Sequence, residues 1–210
     1  MTAGGVVEGR GPLLFIGDSV TAAERSVSDA SDLGRGFVTM IARALECRHP
    51  SVRVINKGVG GDRAADVEAR WERDCLALDP DVITLLVGVN DTWRRFDRGQ
   101  QHPLHEYAAS LRRMLVAARA RSTASIVLVE PFLLKVGFIT EEWEEDLSSR
   151  REVVAQIAAE TGCVFVPTQA AFDDEAGAAP ATLLYDGVHP TSAGHRLLAQ
   201  RWLTIAGGAS

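Results

Sequence analysis

The chain of 210 residues is long enough for one domain with a full core and too short for two ordinary ones. Its 46% hydrophobic and 24% charged content is that of a globular protein and excludes an intrinsically disordered chain. A net charge of −6 argues against a nucleic-acid binder, and no apolar run approaches the roughly 20 residues needed to span a bilayer.

The amino-terminal MTAGGVVEGRGP has no basic patch followed by an apolar segment, so no secretory signal is expected. Cys47, Cys75 and Cys163 stand far apart without a CxxC pair. That spacing reads as reduced thiols in a cytoplasmic protein, with neither disulfide nor zinc site.

The first predicted element is a strand, LLFIG at 13–17, which ends abruptly in Asp18 and Ser19. Gly, Asp and Ser are ordinary turn residues, yet a buried strand with a hydroxyl at its tip also suits a nucleophile. A helical pattern at 36–48 leads to a second strand, VRVIN at 52–56, and then to the loop NKGVGGDR. Gly60 and Gly61 in that loop let a backbone N–H approach a ligand with no side chain in the way. The loop fits neither Walker A nor Gly-x-Gly-x-x-Gly, and read alone it is better explained as a strand-to-helix turn. A helix at 64–75, with Val67 and Trp71 four apart, precedes the third strand, VITLLVG at 82–88. Asn90 follows directly, in GVNDTW. A neutral carboxamide there can donate to a developing oxyanion, and a turn Asn-Asp pair fits equally well.

The stretch 97–103 reads as an excursion. From 104 to 121, Tyr107, Leu111, Met114, Leu115 and Ala118 recur on one helical face. The fourth strand is IVLVE at 126–130. TEEWEED at 140–146 reads as a solvated helix start anchored by Trp143, in a helix that Val153, Val154 and Ile157 continue to about 161. CVFV at 163–166 makes the fifth strand. DDEAGAAPATLLYDG reads as a long loop before a last helix carrying Leu198, Trp202 and Ile205.

Strands that are apolar at nearly every position, alternating with helices, imply a parallel sheet covered on both faces. The expected fold class is therefore α/β, a three-layer α/β/α sandwich with a parallel sheet of about five strands. No repeat, low-complexity tract or linker divides it, so residues 1–210 read as one domain. Ligands of such sheets bind at the carboxyl ends of the strands, where Ser19, Gly60, Gly61 and Asn90 all fall.

YDGVHP at 185–190 supplies what those loops lack. Asp186 and His189 are three apart, with Gly187 permitting a tight bend and Pro190 setting the exit. The carboxylate can hold the imidazole Nδ1–H while Nε2 points away as a base. Taken alone, a helix cap and a surface histidine are the plainer account. Thr191 or Ser192 can supply that cap, however, which leaves Asp186 unexplained. Together the pieces furnish the nucleophile, base, orienting carboxylate and oxyanion donors of acyl transfer. No Gly-x-Ser-x-Gly occurs, so the layout is not that of the usual α/β-hydrolases.

Other polar residues carry less. His102 and His105, beside Glu106, lack a third ligand and read as a surface loop, so neither metal nor cofactor is expected. His195 reads as helix surface. Arg94 and Arg95 read as a solvated pair or as contacts to a polar substrate, and Trp93 as a pocket floor or as core.

IGDS, NKGVGGD, VGVND and DGVHP, in that order, resemble the four sequence blocks of the SGNH (GDSL-type) hydrolases, over nearly the whole chain. The resemblance implies a flavodoxin-like strand order, 2-1-3-4-5. Position by position it implies Ser19 as nucleophile, His189 as general base and Asp186 as its orienter. The implied oxyanion hole comprises the N–H groups of Ser19 and Gly61 and the Asn90 amide. Gly61 is taken rather than Gly60 because the family's glycine directly precedes the polar residue, here Asp62. LGRGFVTMIARAL, ADVEARWERDCLALDPD, VGVNDTWRRFD, VEPFLL and FVPTQAAFD are similar to the acetylxylan-esterase-like branch.

The chain departs from that pattern at Val20, where leucine or isoleucine is usual, and at Asp62, where Asn is common. Gly187 stands where the branch has arginine, and Tyr185 and Trp93 are the aromatic candidates for binding substrate. The implied activity is hydrolysis of small acyl esters, acetyl above all, of carbohydrates such as acetylated xylo-oligosaccharides. Neither nucleic acid nor membrane is an expected partner, and the number of chains in the assembly stays open. Thioesterase, lysophospholipase or short-chain aryl esterase chemistry on the same residues is the alternative. A non-catalytic carbohydrate-binding relative is the remaining one.

Overall fold

Successive side chains of a strand point to opposite faces, and here that alternation builds two separate cores. The computed structural model describes residues 6–7, 11–46 and 49–207, so Cys47 lies outside the described residues. Five strands, β1 (Leu13–Gly17), β2 (Val54–Gly58), β3 (Val82–Leu86), β4 (Ser125–Val129) and β5 (Val164–Val166), form one sheet in the order β2-β1-β3-β4-β5. Every neighbouring pair is parallel. The expected α/β class and strand order are therefore those of the molecule.

The helices among the described residues are α1 (Ser19–Ala22), α2 (Phe37–Glu46), α3 (Ala64–Ala69), α4 (Trp71–Asp74), α5 (Val89–Arg98), α6 (Leu104–Arg121), α7 (Glu141–Thr161), α8 (Gln169–Ala176) and α9 (Ser192–Ile205). Leu13 and Phe15 of β1 share one core with α2, α8 and α9. Leu14 and Ile16 share the other with α3, α4, α6 and α7. On the first face Trp202 packs on Phe15, ring centroids 5.3 Å apart, and its indole N–H donates to Thr84 Oγ1 at 3.1 Å. Burying a side chain of this kind contributes roughly 1.5–3 kcal/mol, so these faces hold the layers together. A third, smaller cluster of Val89, Leu133, Ile139, Trp143, Leu147 and Val188 underlies the carboxyl edge of the sheet.

Three elements differ from the sequence expectation. The helix expected at 64–75 is broken at Arg70, whose backbone (φ −109°, ψ 7°) separates α3 from α4. The loop around Asn90 and part of the 97–103 excursion are instead α5. Its buried residues Val89, Asn90, Asp91 and Thr92 are consecutive and mostly polar, so it shows no apolar stripe at helical spacing. The start of the long loop after residue 172 is the end of α8, a helix whose apolar anchors are few.

His195 is not helix surface. Its Nδ1 accepts the Phe37 N–H at 3.3 Å, and its ring stacks on Phe37. Burial lowers its pKa to about 4, with the nearby His189 adding to the effect. A histidine with a depressed folded pKa binds protons better when unfolded. Its contribution is thus intact above about pH 6.5 and is lost as the pH falls toward 4, at a cost on the order of 3 kcal/mol. Asp18 and Asp91, raised to about 7 and about 6, act in the opposite direction over that range. Thermal melts of wild type and His195→Gln should therefore diverge below pH 6.5, with the variant losing less stability. Parallel curves would refute the assignment.

Cys75 is a buried free thiol raised to about 12 by burial, and Cys163 is also free. Among the described residues no helix is long and apolar enough to cross a membrane.

Candidate active site

The tip of β1 is crowded, which is why small residues stand there. A Cβ on Gly17 would lie 2.0 Å from the Leu86 carbonyl oxygen, and one on Gly58 would lie 2.2 Å from the Ala22 nitrogen. The chain then turns into α1, capped by Asp18, whose Oδ1 accepts the Val20 N–H at 2.9 Å. Asp18 is almost fully buried, and burial, against that hydrogen bond, raises it to about 7. Its work in the IGDS stretch is thus to shape the turn that presents Ser19.

Gly58 offers a test of that turn. An alanine there would have to push the α1 backbone back by roughly 1 Å, and a misplacement of that size costs about 10²-fold in rate. Steady-state kinetics of Gly58→Ala should show this loss in kcat, and an unchanged kcat would mean the turn tolerates displacement.

Ser19 Oγ lies 3.0 Å from His189 Nε2, and His189 Nδ1 lies 2.7 Å from Asp186 Oδ2. The other Asp186 oxygen accepts the Val188 N–H at 3.0 Å and the His189 N–H at 2.8 Å. Partial burial pulls the Asp186 carboxyl upward, but these hydrogen bonds from His189 and Val188 outweigh it and hold the group below the usual carboxylate range. The turn needs Gly187, whose φ is +92° and whose carbonyl accepts the Leu134 N–H at 2.9 Å.

On the far side of Ser19 lie the glycine loop and α5. Gly61 has φ +84°, and a Cβ on Gly60 would sit 4.0 Å from the Ser19 Cβ. Asn90 is buried in the first turn of α5, and its Nδ2 donates to the Asp62 carbonyl at 3.1 Å. A carboxamide has two N–H bonds, so one remains for a ligand. Asp91, raised to about 6 by burial, accepts the Ala64 N–H at 3.1 Å and so ties α5 to α3. The structure thus gathers Ser19, Gly61, Asn90, Asp186 and His189 at the carboxyl edge of the sheet.

Two aromatic rings flank the imidazole. Tyr185 is exposed and stacks on His189 at 5.8 Å with an interplanar angle of 17°, and Trp93 meets it edge-on at 6.0 Å. Trp93 also packs on Trp143 and Phe138, both at 5.4 Å, so it is part of an aromatic cluster as well as a neighbour of His189. The arginine pair divides. Arg95 pairs with Asp146, while Arg94 pairs with Asp97 at 2.8 Å and reaches within 3.2 Å of where a Gly61 Cβ would be. His102 lies against Arg63 and, with His105, Glu106 and Asp91, lines a cavity of about 380 Å³ away from Ser19. Among the described residues no cluster of three or more His, Cys, Asp or Glu side chains could hold a metal ion.

Sequence reasoning missed Arg70. Its nearly buried guanidinium pairs with Asp62 at 2.7 Å and donates to the Gly17 carbonyl at 2.9 Å and the Lys57 carbonyl at 2.8 Å. No local pattern marks it, because one arginine eight residues after an aspartate looks like any surface charge.

Residues 15–197 match the sequence model of the GDSL-like lipase/acylhydrolase family. The chain belongs to that family. This GDSL-family hydrolase is 37% identical, over 93% of its length and 93% of the relative's, to an acetylxylan esterase of Geobacillus stearothermophilus. It is 27% identical to the esterase TesA of Pseudomonas aeruginosa, covering 92% of this chain and 87% of that one. A crystal structure of a catalytic mutant of the Geobacillus enzyme, Axe2, superposes with a TM-score of 0.87 at 34% identity, over 100% of this chain and 98% of the other. An alpha/beta hydrolase enzyme from the metagenome of Lake Arreo, LAE5, does so at 0.85 and 28% identity, covering 93% and 94%. The hydrolase is accordingly an SGNH-type esterase with the fold of these neighbours.

Proposed function

We propose that this enzyme hydrolyses acetyl esters of carbohydrates, such as acetylated xylo-oligosaccharides, through an acyl-enzyme formed on Ser19. The observation that carries the mechanism is the continuous chain from Ser19 Oγ through His189 to Asp186, at 3.0 and 2.7 Å. His189 Nε2 takes the Ser19 proton as Oγ bonds to the acyl carbon, and the negative charge gathers on the carbonyl oxygen. The N–H groups of Ser19 and Gly61 and the Asn90 amide receive that oxygen. As the carbon–oxygen bond to the alcohol breaks, His189 returns its proton to the departing oxygen. Water then attacks the acyl-enzyme by the same route, releasing the acid and restoring Ser19.

The substrate class rests on two supports. A relative 37% identical is named an acetylxylan esterase, and the exposed face of Tyr185 beside His189 is the kind of surface on which a sugar ring stacks. Trp93, edge-on to the same imidazole at 6.0 Å, adds a second aromatic surface. We read residues 1–210 as one such hydrolase unit acting in the cytoplasm without a metal or cofactor, on a small acylated substrate.

Acetate release from acetylated xylo-oligosaccharides, measured beside short- and long-chain p-nitrophenyl esters, tests the substrate. The expected result is fast release from the sugar and poor turnover of long acyl chains. Hydrolysis of the synthetic esters alone would remove the carbohydrate. Preference for long chains would favour thioesterase or lysophospholipase chemistry, and binding without turnover would leave a carbohydrate-binding relative.

A further inference from the structure

We propose that the Arg70–Asp62 ion pair is the positioning device of the oxyanion hole, joining the nucleophile turn, the glycine loop and Asn90 in one hydrogen-bonded unit. The proposal rests on the reading of Gly61 and Asn90 as oxyanion donors. Arg70 side-chain exposure is 9% and that of Asp62 is 14%, so the pair is largely shielded from water. Each guanidinium nitrogen reaches a different element. Nε donates to Asp62 Oδ2 at 2.7 Å, Nη1 to the Lys57 carbonyl at 2.8 Å, and Nη2 to the Gly17 carbonyl at 2.9 Å. A second, longer bond from Nη1 reaches Asp74 at 3.3 Å.

These acceptors adjoin the chemistry. The Gly17 carbonyl ends β1 directly before Asp18 and Ser19, and it also accepts the Val59 N–H at 3.0 Å. Asp62 follows Gly61, and its carbonyl is the acceptor that holds the Asn90 amide at 3.1 Å. Arg70 therefore acts on Asn90 through Asp62, and on the turn before Ser19 directly. It touches none of the reacting atoms, so its role is positioning. A planar fork of fixed donors meets these divergent acceptors in one geometry, which a lysine ammonium on a flexible stem cannot reproduce. Burial raises the Asp62 carboxyl and Arg70 draws it back, and removing one partner of a pair so shielded from water leaves the other charge poorly compensated.

The test uses p-nitrophenyl acetate, so it is independent of the natural alcohol, with Asp62→Ala, Asp62→Asn, Arg70→Ala, Asn90→Ala and the Asp62→Ala/Asn90→Ala double variant. Asn90→Ala is expected to lower kcat by about 10²- to 10³-fold. Asp62→Ala should lower kcat by roughly 10-fold or more with KM little changed, and should add almost nothing once Asn90 is gone. Asp62→Asn, which keeps an acceptor for Arg70, should recover most of the rate, whereas Arg70→Ala should lose kcat at least as heavily as Asp62→Ala. If Asn90→Ala has its effect while Asp62→Ala keeps full kcat, or if the two losses multiply, the positioning role is overturned and the mechanism stands. If Asn90→Ala itself leaves kcat unchanged, the oxyanion assignment falls and this proposal with it. Should Arg70→Ala fail to fold, the four Asp62 and Asn90 variants still decide the question.

Discussion

Replacing Ser19 with alanine is expected to lower kcat by on the order of 10⁶-fold while leaving the fold intact, because no other nucleophile can take its place. Among the described residues the side-chain hydrogen bond of Ser19 runs to His189, which is only partly buried, so its removal strands no partner in a core. The neighbouring hydroxyl, Thr21 Oγ1, is buried, has no hydrogen-bond partner among the described residues and lies 2.7 Å from where a Gly17 Cβ would be. Its burial keeps it from reaching an acyl carbonyl. The residual rate should still exceed that of water by roughly 10³- to 10⁴-fold, since oxyanion donors and binding walls remain. Acetate release at high enzyme concentration, with a thermal melt as the control for folding, measures both effects. Turnover above a hundredth of wild type with an unchanged melt would remove Ser19 from the mechanism.

Asp186→Asn is expected to cost about 10⁴-fold in kcat, and the reason is which ring nitrogen carries the proton. In the native turn Oδ1 accepts two backbone N–H groups while Oδ2 faces His189 Nδ1 at 2.7 Å. An asparagine that keeps the two backbone bonds must present its NH2 group to Nδ1. Nδ1 then becomes an acceptor, the neutral ring places its proton on Nε2, and no lone pair faces Ser19 Oγ. An amide flipped the other way restores the tautomer but loses the bonds that shape the turn through Gly187. Either outcome depresses kcat, and the melts separate them, because only the flipped amide loosens the turn. A loss smaller than tenfold would show that Asp186 does not set the tautomer.

The strands and the long helices were readable because their apolar residues repeat at the period of the structure they form. The five buried positions Tyr107, Leu111, Met114, Leu115 and Ala118 of α6 are the clear case. Helix α5 was not readable, for the opposite reason. It buries Asn90, Asp91 and Thr92 and supports them with hydrogen bonds to Asp62, Ala64 and Asp146, so its buried face is polar. His195 was misread because its helix packs against the loop before Phe37, a neighbour more than a hundred residues away in the chain.

The sequence by itself determined the layered α/β class, because alternating strand and helix periods leave few other ways to bury both faces of a sheet. It also determined the candidate residues Ser19, Gly61, Asn90, Asp186 and His189, since their chemical types stand in four ordered blocks. Only the tertiary structure decided that Ser19 and His189, 170 positions apart, come within 3.0 Å. Only there does Arg70 appear as the tie between the β1 tip, the β2 tip and the glycine loop, and only there do Tyr185 and Trp93 close on one imidazole. Local periodicity records which face of an element is buried. Which elements meet across the sheet edge, and which polar atoms satisfy one another there, depends on contacts distant in the chain, and those leave no periodic trace.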